Sequence, residues 1–97
     1  MQIVLARLKF VIGLVETAKS KIEKQCGRES LLYANALRSL AQIYVLMRQL
    51  ERALEIHRIA LPIIEKYYGS NHIEVATSYI KIAEIEAELG NVNTVSA

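Results

Sequence analysis

The chain has 97 residues, 53% apolar and 23% charged, with one Pro, four Gly, no Trp and a net charge of +2. Single cores usually occupy roughly 100–200 residues, so this length excludes a two-domain enzyme. The composition is too apolar for disorder and too poor in breakers for an all-β protein, which leaves an all-α fold.

Apolar residues recur three or four apart along most of the chain, and in chain order this rhythm predicts four helices and the start of a fifth. The first runs from about Ile3 to Gln25. Its apolar stretch from Phe10 to Val15 is followed by Glu16, Lys19 and Lys21, so no run approaches the ~18 apolar residues of a membrane span, and no targeting segment is recognisable. The second, about Leu31 to Met47, carries Ala34, Leu37, Leu40, Ala41 and Tyr44 on one face. The third, about Leu50 to Tyr68, carries Leu50, Ala53, Leu54, His57, Ala60, Leu61 and Ile64; Pro62 within it removes a backbone hydrogen bond and predicts a kink. The fourth, about Ile73 to Leu89, carries Ala76, Tyr79, Ile80, Ala83 and Ala87, with Asn71 and Glu74 as a capping box. A truncated fifth begins at Val92 and stops at Ala97.

Gly27, Gly69 and Gly90 each follow a periodic stretch, where glycine supplies a helix stop. Gly27 and Gly69 are 42 residues apart, and Ile22-Glu23-Lys24 recurs at the same offset as Ile64-Glu65-Lys66. Leu8 with Leu50, Ala18 with Ala60, Ala34 with Ala76, Ala41 with Ala83, and Ile43 with Ile85 obey the same offset. Two helices per unit at a period near 40 is the pattern of an antiparallel helix-pair solenoid.

Cys26 is the only cysteine, so no internal disulfide can form, and a reducing, intracellular and cytoplasmic address fits. Charge is graded along the chain: residues 1–30 carry a net +3 and residues 71–97 a net −3. Opposed ends suit head-to-tail contact between neighbouring units, although screening over ~8–10 Å favours two solvated faces.

Leu40-Ala41-Gln42-Ile43-Tyr44, followed by Ala53 and Ala60, resembles the tetratricopeptide repeat, in which small residues let paired antiparallel helices approach closely. The 42-residue period and the linking stretch EKYYGSNHIEVA are similar to the kinesin-light-chain class of that repeat. Residues 60–85 carry a narrower likeness to the C-terminal helical region of SET and MYND domain-containing proteins, which implies an accessory, non-catalytic role beside a protein-lysine methyltransferase. Within the repeat frame, residues 1–27 are the second helix of an incomplete repeat, 31–69 a full repeat and 73–97 a partial one. The frame therefore reads as a unit cut at both ends, either a fragment of a longer protein or a chain that completes itself by pairing with another copy. Glu86 stands where the preceding unit has Tyr44, and His57 fills a place usually held by a larger aromatic.

Candidate chemistry is sparse. His57, His72 and Cys26 lack metal-ligand spacing, no Gly-rich phosphate loop or nucleophile signature occurs, and Asp is missing altogether. Neither a cofactor nor catalysis by this segment is expected, and neither a nucleic acid nor a membrane is expected as a partner. A basic cluster of Lys19, Lys21, Lys24 and Arg28 supplies the only case for nucleic acid. The resemblance implies instead a scaffold binding a protein or peptide in a concave groove. The groove-facing positions it implies are Asn35, Arg38, Gln42 and Val45, then Thr77, Ile80, Glu84 and Ala87. These lack the lysine-and-asparagine pattern of repeats that clamp a C-terminal carboxylate.

Overall fold

The computed structural model describes residues 2–96, with side chains described for residues 3–90. Its described residues form four helices and no strand: α1 (Gln2–Cys26), α2 (Leu31–Leu46), α3 (Leu50–Tyr68) and α4 (Ile73–Ser96).

Local chemistry fixes most of the boundaries. At the ends of α1 and α3, the amides of Gly27 and Gly69 donate to Glu23 O and Glu65 O at 2.9 and 2.8 Å. Both glycines hold φ near +87°, a conformation closed to most residues with a Cβ. Ser30 caps α2, its Oγ accepting from the Tyr33 amide at 3.1 Å, and so satisfies one of the four unpaired donors of a helix start. Arg48 turns the chain between α2 and α3 with φ +63°, an uncommon backbone state for a residue other than glycine.

The start of α4 differs from the expected capping box. His72 is the residue before the helix, and its ring Nδ1 accepts from the Glu74 amide at 3.0 Å. Its ring stacks on Tyr68 at 4.3 Å, so the cap is held by the end of α3. The predicted fifth helix is also corrected, because α4 runs on through Gly90 to Ser96. Gly90 is not among the glycines with positive φ, and a glycine inside a helix costs only about 1 kcal/mol when no proline or left-handed turn follows. Pro62 sits exposed within an uninterrupted α3.

Each helix packs on its neighbour in the chain, α1 on α2, α2 on α3 and α3 on α4. The resulting layer measures 42 × 34 × 18 Å, whereas a closed four-helix bundle would have two similar short dimensions. Two apolar clusters fill it. Tyr33, Ala34 and Leu37 of α2 meet Ala60 and Ile64 of α3 and Val75 of α4. Leu40, Ala41 and Tyr44 meet Leu50, Ala53 and Ile85 in the same way. The alanines let α2 and α3 approach closely, and α1 adds only the half-buried Ile12, Val15 and Ile22.

The buried face of α4 is not the one its apolar spacing suggests. Val75, Ser78, Ile82 and Ile85 are buried, while Ala76, Tyr79, Ile80, Ala83 and Ala87 are exposed. Both sets recur at helical spacing, so α4 is apolar on two sides, and only contact with α3 decides which side is covered. Ala41 and Ala83, equivalent in sequence, thus have different surroundings.

Candidate functional site

A trough runs between α2 and α4, with α3 as its floor. Toward the start of α2 it is lined by Asn35, Arg38, Ser39 and Gln42, facing Glu74 and Lys81 of α4. It continues into a cavity of about 420 Å3 bounded by Val45, Glu84, Ala87 and Glu88. Gln42, His57 and Lys81 border both parts, so the two form one continuous surface.

Of the residues singled out from the resemblance, Asn35, Arg38, Gln42, Val45, Glu84 and Ala87 come together along this trough. Thr77 and Ile80 are not among its lining residues. The Thr77 hydroxyl donates to the Ile73 carbonyl at 2.9 Å, and Ile80 is 56% exposed. Gln42 with Glu84 and Val45 with Ala87 are equivalent pairs that both line it, whereas the equivalents of Asn35 and Arg38 do not. Glu74, Lys81 and Glu88, seven residues apart on α4, line the α4 wall beside Glu84 and Ala87.

Two ion pairs brace the walls. Arg38 Nη1 lies 3.1 Å from Glu74 Oε1, joining α2 to α4, and Arg48 Nη1 lies 2.7 Å from Glu88 Oε2 at the other end. Lys81, between them, makes no ion pair among the described residues. Beneath it lies His57, only 3% exposed, with Nδ1 unpartnered. Burial lowers the His57 pKa from its ordinary 6.5, and the nearby cations Arg38 and Lys81 lower it further, so the ring is neutral at pH 7. The trough thus presents exposed amides (Asn35 and Gln42) and an ammonium over a neutral imidazole, flanked by braced ion pairs.

Sequence reasoning passed over Lys81, His57, Glu74 and Glu88. Lys81 had a signal, since it is the repeat equivalent of Ser39, which also lines the trough. The basic cluster is weaker than its composition suggests. Lys19 pairs with Glu16 at 2.9 Å and Arg28 with Glu23 at 2.6 Å, leaving less uncompensated charge on that surface. Among the described residues no group of three or more His, Cys, Asp or Glu could hold a metal ion, and no helix is long and apolar enough to cross a membrane.

Comparison with known proteins adds one match: a family profile described as tetratricopeptide repeat covers residues 32–93. A search of curated proteins finds no match.

Proposed function

The chain belongs to the tetratricopeptide-repeat family, and from this premise we propose that it is an interaction scaffold receiving an extended protein segment in the trough between α2 and α4. Repeats of this family generally mediate protein–protein interaction, and the matched residues include both walls of the trough. The observation that carries the reading is the long, open and polar lining. Asn35 and Gln42 can each donate to and accept from a peptide backbone, and Lys81 offers three donors to a carbonyl or carboxylate. The Arg38–Glu74 pair ties together the two helices that carry these groups, which lowers the ordering cost of binding.

The test is capture of protein segments by the wild-type chain and by a Gln42→Glu/Lys81→Glu variant, with Glu55→Gln on the outer side of α3 as the control. The trough variant should lose the captured segment and the control should keep it. Equal capture by both, with helicity unchanged, would remove the trough as the binding site. The alternative role, an accessory helical domain of a SET and MYND-type protein-lysine methyltransferase, is supported by residues 60–85 alone. It would require capture of a methyltransferase domain by this same chain.

A further inference from the structure

Two apolar stripes lie exposed on opposite sides of the layer. On α4, Tyr79 and Ile80 are 53% and 56% exposed and stand beside the exposed Ala76 and Ala83. On α1, Phe10 and Leu14 are 69% and 56% exposed and stand beside the exposed Val11 and Ala18.

The 42-residue offset identifies both stripes. Ala76, Tyr79 and Ala83 occupy the positions of Ala34, Leu37 and Ala41, the side of α2 that α3 covers. Val11, Leu14 and Ala18 occupy the positions of Ala53, Ile56 and Ala60, which in α3 pack into the two clusters shared with α2. α4 therefore presents the surface that α2 presents to α3, and α1 presents the surface that α3 presents to α2. Among the described residues neither stripe has a covering helix.

We propose that these stripes cover one another between two copies of the chain, α1 of one copy docking antiparallel on α4 of the next and reproducing the α2–α3 pairing. Size matches across such a contact. Ala53 shares a cluster with Ala41, so its equivalent Val11 meets the small Ala83; Ala60 shares one with Leu37, so its equivalent Ala18 meets the large Tyr79. Charge matches as well. Residues 1–30 carry a net +3 and residues 71–97 a net −3, and the antiparallel arrangement brings Arg7 and Lys9 to the part of α4 that carries Glu84, Glu86 and Glu88. The contact is heterologous: each added copy leaves one stripe of each kind exposed, so association continues with concentration and extends the trough from copy to copy.

Sedimentation of the 97-residue chain from micromolar to millimolar concentration tests this, together with Leu14→Glu and Ala83→Arg. Both substitutions are at exposed positions, and circular dichroism should report wild-type helicity for each. The wild-type mass should rise with concentration and fall back in high salt. Each variant alone should stay monomeric, while an equimolar mixture should form a species of two chains and nothing larger, because one intact stripe of each kind remains. A monomeric wild type at millimolar concentration would overturn the proposal and leave the stripes to a different polypeptide. Self-association of either variant alone, or a monomeric mixture, would also overturn it. Should a variant lose helicity, Leu14→Gln and Ala83→Gln carry the same comparison.

Discussion

Ala41 and Ala83 hold the same place in successive units, yet Ala41 is 0% exposed between α2 and α3 while Ala83 is exposed on α4. Enlarging each to leucine separates sequence equivalence from structural equivalence. At Ala41 the added carbons have no space between close-packed helices, and overpacking of this kind costs about 1–3 kcal/mol. For a domain of this size 1 kcal/mol corresponds to about 4–8 °C in Tm, so Ala41→Leu should lower Tm by roughly 5–20 °C. Ala83→Leu adds the same atoms to an exposed face and should change stability by no more than about 0.5 kcal/mol. Thermal melts followed by circular dichroism, at a protein concentration low enough to keep the chain monomeric, give both values. Equal destabilisation at the two positions would mean that α4 is already covered on that side. No loss at Ala41 would mean that α2 and α3 do not meet through their alanines.

Three further outcomes follow from the same contacts. The His57 pKa is lowered by burial and by Arg38 and Lys81, so below its ordinary 6.5 the unfolded chain takes up a proton that the folded chain resists. The contribution from His57 should therefore be complete above that value and be lost as pH falls through the lowered one. Urea midpoints at about pH 7.5 and about pH 5.5 should differ in the wild type and converge in His57→Leu; equal slopes in the two proteins would refute the assignment. Ser30→Ala removes the cap of α2 and should cost about 1 kcal/mol in the same melts, and a neutral result would show that water replaces the hydroxyl. Gly69→Ala places a Cβ at φ +86° and should cost upward of about 1 kcal/mol, with an unchanged Tm as the contrary result.

Much of the fold was legible because its signals are local. Gly27 and Gly69 mark helix stops, and the alanines and leucines of α2 and α3 mark their contact face, since both depend on residues within a few positions. What escaped depends on neighbours distant in sequence. Gly90 has the same preceding pattern as Gly69, yet without the positive φ that ends α3 the helix continues. α4 is apolar on two sides, and its periodicity could not say which side α3 would cover. Of the eight groove positions that the resemblance implied, six line the trough and Thr77 and Ile80 do not, because one repeat frame cannot say how far along α4 the contact with α3 leaves the furrow open. His72 was passed over as a cap because an imidazole seldom takes that place.

Packing between chain neighbours also sets the order in which this molecule is assembled and taken apart. The main helix contacts are between chain neighbours, so the rate should be that of a fast helical folder, starting at the α2–α3 hairpin where the two clusters overlap. α1 has no buried side chain among its described residues and rests mainly on α2. Its amides should exchange with solvent long before those of α2 and α3, so the first helix can peel away while the rest of the layer stays intact.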